Sequence, residues 1–153
     1  MIMKGPVGLA VEKMNDIPQE HRPEVGAILP LRKRYDTFAN YRPVRLPKSL
    51  AGFSPLKEEM IGDGIDILMI RELVGGIYFG KKTEGTATDL KYAEDECIYT
   101  EDQVRRVAVV AFEEARKGKT QMVNIHKANV LATSRFWNVI VEDVAKQYPE
   151  VPY

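Results

Sequence analysis

The feature that most constrains the fold is a short stretch where an apolar run ends at an arginine and two glycines follow. Residues 65–70 are apolar apart from Asp66 and predict a buried strand, which stops at Arg71. Gly75 and Gly76 allow backbone conformations that a side chain would forbid, so a tight turn is expected before Tyr78. An arginine fork suits a carboxylate, and a tyrosine beside it could move a proton. The pattern alone is also compatible with a strand end that carries a packed tyrosine.

The remaining pattern predicts strands that alternate with helices. A capping box at 100–103 precedes a helix whose apolar face runs from Val104 to Ala115, closed by Gly118. Residues 121–125 predict a second buried strand, and a last helix follows with Thr133 or Ser134 as its cap. This alternation indicates an α/β sheet.

Two further segments have weaker signals. Residues 23–35 predict a helix with a kink or break at Pro30, and residues 41–46 predict an edge strand interrupted by Pro43. Residues 81–88 read as a polar loop without core residues, whereas residues 90–99 look extended. No sequence-adjacent partner is evident for that extended segment, so we expect residues 81–99 to form an arm that pairs with another copy of the chain.

Composition excludes several classes of partner. The chain has 153 residues, of which 44% are hydrophobic, so it can bury a core. Lysine plus arginine equals aspartate plus glutamate at 22 each, which argues against a general nucleic-acid or anionic-membrane partner. No apolar run approaches the ~20 residues that a membrane span needs, and the N-terminus lacks a signal-peptide pattern. The single cysteine, Cys97, fits a reducing compartment, hence the cytoplasm, and its alternating surroundings suggest a packing role.

Polar residues follow both predicted buried strands. Arg71 follows the first strand, and Lys127 and Asn129 follow the second. Ligands of open α/β sheets bind at such strand ends. Arg32 and Arg42 flank residues 36–41, and three arginines meeting in one pocket would bind a dicarboxylate. Spacing does not show that they meet, and a surface position is the default for each one.

Five ordered segments carry a family resemblance: LRK at 31–33, FANYRP at 38–43, SPLK at 54–57, RELVGGIYFG at 71–80 and KANVL at 127–131. Together they resemble the isocitrate/isopropylmalate family of β-decarboxylating dehydrogenases. The resemblance implies an open α/β sheet with flanking helices and a dimerisation arm, incomplete in this chain. Residues 1–40 would be the tail end of a cofactor-side domain, and residues 41–153 a dimer-forming domain truncated at its C-terminus. Family members are more than twice this length, so we expect an internal fragment.

The resemblance also implies roles for individual residues. Tyr78 resembles the general acid that protonates the enol carbon, and Lys127 the residue that assists removal of the hydroxyl proton. In the family that lysine comes from the neighbouring subunit of a homodimer. The other implied roles are substrate-carboxylate binding by Arg32, Arg42 and Arg71, alkyl-pocket lining by Ile28 and Val130, and nicotinamide contact by Asn129.

The function implied is part of an NAD-dependent oxidative decarboxylase that converts 3-isopropylmalate to 4-methyl-2-oxopentanoate and CO₂ in leucine biosynthesis. Its Mg²⁺ or Mn²⁺ would be held by aspartates outside this chain, so we expect the chain alone to be inactive. Homoisocitrate, isocitrate or tartrate dehydrogenases of the same family remain alternatives, as does a non-catalytic dimerisation module. Two residues depart from the family pattern. His126 stands where the isopropylmalate enzymes usually have aspartate and is expected to be structural, and Pro30 could re-aim Arg32.

Overall fold

The structure, a computed structural model, describes residues 16–153. The chain divides into two compact units, residues 1–37 and 38–153. This division lies close to the boundary predicted at residue 40, but the assignment of the two parts to cofactor-side and dimer-forming domains stays a prediction.

The described part of the first unit is helical. A 3₁₀ turn at Gln19–His21 precedes a π-helical turn at Glu24–Ile28, and helix α1 spans Leu29–Arg34. The chain does not break at Pro30. Instead the helix changes from the π to the α type one residue earlier, and the N–H of Leu29 still bonds to the Glu24 carbonyl in the wider π pattern. Pro30 lies in the first turn of α1, where its missing N–H removes no hydrogen bond from the helix.

The second unit begins with a two-stranded antiparallel ribbon. Strand β1 spans Ala39–Pro47 and strand β2 spans Gly64–Glu72, and a 3₁₀ helix at Lys48–Phe53 and helix α2 at Glu58–Ile61 lie between them. Both predicted strands are therefore confirmed and extend further than expected. The prediction that β2 is buried is wrong, since Ile67 is 52% exposed and only Glu72 of this strand is fully buried. Among the described residues β2 has one neighbouring strand, so most of its apolar side chains have nothing to cover them.

Residues 82–95 form a β-hairpin. Strand β3 (Lys82–Ala87) pairs antiparallel with strand β4 (Leu90–Asp95), and the turn residues Thr88 and Asp89 have φ of 47° and 64°. Two positive φ angles suit the twist of a tight hairpin. The prediction of a loop at residues 81–88 is thus wrong. The prediction that the extended segment has no sequence-adjacent partner is also wrong, because β4 pairs with β3. Cys97, which follows β4, is exposed, so its predicted packing role is wrong as well.

The core lies between two long helices, α3 (Glu101–Gly118) and α4 (Ala132–Ala145). The predicted capping box is present, with Thr100 and Gln103 exchanging side-chain and backbone hydrogen bonds. The apolar face predicted from Val104 to Ala115 is confirmed: Phe112 is fully buried and stacks on Tyr148 at a centroid distance of 5.2 Å.

The predicted ends of these helices need correction. Lys119, with φ of 49°, takes the left-handed position after α3 rather than Gly118. Helix α4 has Leu131 at its N-cap and no side-chain cap, because the Ser134 hydroxyl instead accepts the Lys127 N–H at 3.2 Å.

The second predicted buried strand does not form. Residues 121–125 have no regular structure, and Val123 and Ile125 are 67% and 87% exposed. A single backbone bond, Met122 N–H to the Pro152 carbonyl at 2.9 Å, ties this segment to the end of the chain. A strand needs a neighbour for its backbone groups, and both sheets formed by the described residues are two-stranded ribbons made of other segments. Within residues 16–153 no helix is long and apolar enough to cross a membrane.

Candidate active site

The first group of candidate residues lies on one face of the β1–β2 ribbon. Asn40 is paired with Arg71, and Arg42 is paired with Met69. Positions two apart on a strand share a face, so Arg42 and Arg71 are diagonal neighbours on the same face. The Arg42 Nε donates to Asn40 Oδ1 at 2.7 Å, which directs this guanidinium along the ribbon towards the pair that holds Arg71.

Tyr78 stands beside Arg71, one arginine of this pair. It ends the 3₁₀ turn Gly76–Tyr78, and the Arg71 Cζ lies 5.4 Å from the centroid of its ring. This is a cation–π distance, so the guanidinium faces the ring of the predicted proton donor. Tyr78 is 48% exposed, and both arginines are exposed as well. The Arg71 guanidinium and the Tyr78 phenol are therefore both accessible to a ligand.

Two arginines on one face favour an anionic ligand. Their mutual repulsion is relieved when a carboxylate binds between them, and the guanidinium fork fits a carboxylate by two parallel bonds. Within residues 16–153, neither guanidinium forms an ion pair with a carboxylate of the chain. The arrangement is thus suited to bind a carboxylate next to a proton-donating hydroxyl.

The turn that carries Tyr78 is fixed by close backbone approach. Gly76 has φ of 74° and donates its N–H to the Ile98 carbonyl at 2.8 Å. Gly80 packs directly against the backbone of Glu96, where a side chain has no room. The Lys82 ammonium donates to the Ile77 carbonyl at 2.7 Å, which ties the 3₁₀ turn to the base of the hairpin.

The residue behind the turn is Tyr99. Its ring contacts the edge of Trp137 at a centroid distance of 5.2 Å. Burial raises the pKa of the Tyr99 phenol, the nearby Cys97 and Glu72 raise it further, and Arg71 lowers it. Tyr99 therefore stays neutral and packs behind the turn, whereas Tyr78 faces outward.

Glu72 is a residue of the site that the sequence analysis did not single out. It is 7% exposed, and its two carboxylate oxygens accept the N–H groups of Val74 at 2.9 Å and Gly75 at 2.8 Å. The period of two along β2 supplied part of the signal, because a strand that directs Arg71 outward directs Glu72 to the opposite face.

The second group of candidate residues shares one turn. Lys127, Asn129 and Val130 are all exposed, and the Lys127 carbonyl accepts the N–H groups of Val130 and Leu131 at 3.2 and 2.9 Å. Arg135 of α4 holds this turn by donating to the Ala128 and Val130 carbonyls, both at 3.2 Å. Sequence reasoning missed Arg135, since a lone arginine on a helix carries no distinctive pattern.

His126 precedes this turn and has neighbours at both ring nitrogens. Its Nδ1 accepts the Ala128 N–H at 3.2 Å, and its Nε2 lies 3.2 Å from Asn138 Nδ2. These contacts fit the structural role expected for His126, although it follows an irregular segment rather than a strand.

The other two candidates, Arg32 and Ile28, belong to the first unit. Arg32 lies half-buried in the last turn of α1, and Ile28 ends the π-helical turn before it. The structure therefore places Arg42 diagonally beside Arg71 and the Tyr78 ring against Arg71, and it places Lys127, Asn129 and Val130 together on one turn.

The described residues do not fit a metal ion by themselves. Within residues 16–153 no group of three or more His, Cys, Asp or Glu side chains is arranged to hold one. A divalent cation needs several hard oxygen ligands close together.

The helix-and-strand architecture is that of an α/β protein, and Arg42, Arg71 and Tyr78 are its candidate residues for carboxylate binding and acid–base chemistry. The profile of the isocitrate/isopropylmalate dehydrogenase family matches residues 1–153, and the chain belongs to that family. The predicted family and fold class are thereby confirmed.

Individual relatives agree with this assignment. A 3-isopropylmalate dehydrogenase of Desulfotalea psychrophila is 48% identical over 141 residues, which cover 91% of this chain and 39% of the relative. A 3-isopropylmalate dehydrogenase of Carboxydothermus hydrogenoformans is 45% identical over 151 residues, which cover 98% and 40%. The crystal structure of isocitrate dehydrogenase from Methylococcus capsulatus shares the fold, with a TM-score of 0.67 at 23% identity over 98% of this chain and 39% of that one. The chain thus spans about two-fifths of the length of the curated relatives it matches, which agrees with the predicted fragment.

Proposed function

We propose that this chain is part of an NAD-dependent oxidative decarboxylase that converts 3-isopropylmalate to 4-methyl-2-oxopentanoate and CO₂ in leucine biosynthesis. The observation that carries the proposal is that Arg71, which shares one face of the ribbon with Arg42, lies against the Tyr78 ring. Relatives that are 45–48% identical to the chain bear the name of this activity, which supports the substrate.

Arg42, Arg71 and Tyr78 divide two tasks in the proposed reaction. Arg42 and Arg71 bind carboxylate groups of the malate and hold its carbon skeleton beside the Tyr78 ring. Tyr78 donates its hydroxyl proton to the enol carbon that remains after CO₂ leaves. NAD, when bound, supplies the hydride acceptor for the preceding oxidation of the alcohol. Among the described residues Asn129 is the candidate contact to its nicotinamide.

The remaining candidates complete the proposed site. Arg32 binds substrate carboxylate together with Arg42 and Arg71, and Ile28 and Val130 line the pocket for the isopropyl group, since branched apolar side chains suit an alkyl group. Lys127 of a second subunit assists removal of the substrate hydroxyl proton. This sharing requires a homodimer, for which the exposed hairpin Lys82–Asp95 is the proposed contact.

The test is a hybrid enzyme in which residues 1–153 replace the matching segment of the Desulfotalea psychrophila relative. We expect the hybrid to reduce NAD in the presence of 3-isopropylmalate and Mn²⁺, with lower rates on homoisocitrate, isocitrate and tartrate. Tyr78→Phe in the hybrid should lower kcat by about a hundred- to ten-thousandfold while leaving substrate binding unchanged, as expected for loss of one general acid. The matched control is Tyr35→Phe, since Tyr35 is an exposed tyrosine of the first unit.

Two outcomes would overturn the proposal. Higher kcat/KM for another of the four substrates would reassign the substrate within the family. A folded, dimeric hybrid that binds neither NAD nor any of the dicarboxylates would show that the segment is a non-catalytic dimerisation module.

The 153-residue chain by itself should show no turnover, because the described residues hold no metal site. The cytoplasmic location stays a prediction.

A further inference from the structure

Within residues 16–153, Glu72 is the one charged residue that is buried, at 7% exposure. Burying a carboxylate is unfavourable unless its oxygens are hydrogen-bonded. Both Glu72 oxygens are satisfied, Oε1 by the Val74 N–H at 2.9 Å and Oε2 by the Gly75 N–H at 2.8 Å. The carboxylate therefore binds the backbone of the turn that begins immediately after β2.

Glu72 and Arg71 project from opposite faces of the strand. Arg71 is exposed beside Asn40, whereas Glu72 is buried. Consecutive strand residues alternate in this way. One neighbour thus presents the ligand-binding guanidinium, and the other fixes the backbone that leads to Tyr78.

The same turn is held from its other side by the capping box of α3. Gln103 Nε2 donates to the Val74 carbonyl at 3.5 Å, and Gln103 Oε1 accepts the Thr100 N–H at 3.0 Å. A Cβ on Gly75 would lie 2.6 Å from Gln103 Oε1, so the turn approaches the capping box as closely as a glycine permits. Glu72 and Gln103 therefore clamp residues 74–75 between β2 and the N-terminus of α3.

We propose that Glu72 is a positioning residue, whose carboxylate holds the Val74–Gly75 backbone so that the following 3₁₀ turn places the Tyr78 ring against Arg71. The inference rests on the proposed function for the meaning of the Arg71–Tyr78 pair, but the geometry it explains is independent of that function. Without the two hydrogen bonds the turn relaxes, and the ring leaves the guanidinium although the helical core of α3 and α4 stays intact.

The test uses the 153-residue chain and NMR of the Arg71 Nε–Hε group. An aromatic ring 5.4 Å from Arg71 Cζ shifts that resonance, and Tyr78→Leu supplies the value without the ring. Glu72→Gln replaces one acceptor oxygen by an amide NH₂ that cannot accept an N–H. We expect Glu72→Gln to move the Arg71 resonance at least half of the way to the Tyr78→Leu value, while the resonances of Phe112 and Val141 in the core stay in place.

The matched control is Asp66→Asn, which neutralises an exposed carboxylate of the same strand. It should leave the Arg71 resonance at the value of the unaltered chain. The proposal would be overturned if Glu72→Gln also left the Arg71 resonance at the value of the unaltered chain. It would equally be overturned if Glu72→Gln changed only the core resonances and the melting temperature.

Two further measurements keep the proposal testable. If Glu72→Gln does not fold, Glu72→Asp, which keeps the charge and shortens the reach, is measured with the same expectation. In the unaltered chain the Val74 and Gly75 amides should exchange at least tenfold more slowly than exposed amides, and exchange at the exposed rate would overturn the proposal. The hybrid enzyme separates the two hypotheses, because a hybrid without 3-isopropylmalate turnover fails the proposed function while the Arg71 resonance of the chain still reports on Glu72.

Discussion

Replacing Gly76 by alanine tests the turn on which the candidate site depends. Gly76 is buried, has φ of 74° and donates its N–H to the Ile98 carbonyl. An L-residue in the left-handed region loses about 1–2 kcal/mol. The new Cβ would also lie 2.7 Å from Tyr99 Cζ, so the Tyr99 ring must shift against Trp137, and overpacking of this kind costs about 1–3 kcal/mol.

The expected loss for Gly76→Ala is therefore about 2–5 kcal/mol of unfolding free energy. This is a large share of the roughly 5–15 kcal/mol typical of a folded domain. The assay is urea unfolding of the chain followed by fluorescence of Trp137, which contacts Tyr99. Gly52→Ala is the matched control, since nothing lies within 4 Å of a Cβ at Gly52.

The two causes can be separated by a second variant. Tyr99→Leu removes the ring atoms that the new Cβ would meet but leaves the positive φ of residue 76 unchanged. In the Tyr99→Leu background the loss caused by Gly76→Ala should fall to the conformational part, about 1–2 kcal/mol. A loss below about 0.5 kcal/mol in the unaltered background, the range of an ordinary surface substitution, would refute the reasoning.

Three further substitutions test other parts of the molecule. In the hybrid enzyme Arg71→Lys should weaken 3-isopropylmalate binding about ten- to hundredfold by calorimetry, because an ammonium cannot bind a carboxylate by two parallel bonds. Arg45→Lys is the control, and equal affinities of the two variants would contradict the role of Arg71. Thr100→Ala should lower the unfolding free energy by about 1 kcal/mol, because it removes the N-cap of α3. Thr133→Ala changes a position that caps no helix and should leave the unfolding free energy unchanged, so equal effects would disprove the capping role of Thr100. Replacing residues 82–95 of the hybrid enzyme by a short Gly-Ser linker should convert its dimer into a monomer in size-exclusion chromatography. A variant that still elutes as a dimer would exclude the hairpin as the dimer contact.

The local features of the fold were readable from the sequence because neighbouring residues determine them. The capping box at Thr100 needs only the three residues that follow it, and the apolar faces of α3 and α4 follow from the helical period. The two glycines before Tyr78 predicted the turn for the same reason. The family followed from five short ordered motifs.

Burial and strand pairing were decided by the tertiary structure, because both depend on segments distant in the sequence. The apolar run of β2 predicts a covered strand, yet Ile67 is exposed since β2 has one partner strand among the described residues. Residues 121–125 have the composition of a strand but no described strand neighbour, and residues 82–87 have a loop-like composition but pair with β4. A strand forms where another backbone accepts and donates its hydrogen bonds, and composition alone does not show where that backbone lies.

The candidate site divides in the same way. The sequence by itself determined that Arg71 ends a strand and that Tyr78 follows a glycine turn. Only the tertiary structure placed Arg42 diagonally opposite Arg71, through the register of β1 on β2, and the Tyr78 ring against the guanidinium. It also showed Glu72 to be the buried acceptor of a turn that Gln103 of α3 contacts through the Val74 carbonyl, 29 residues away in the sequence, and no local pattern predicts that contact.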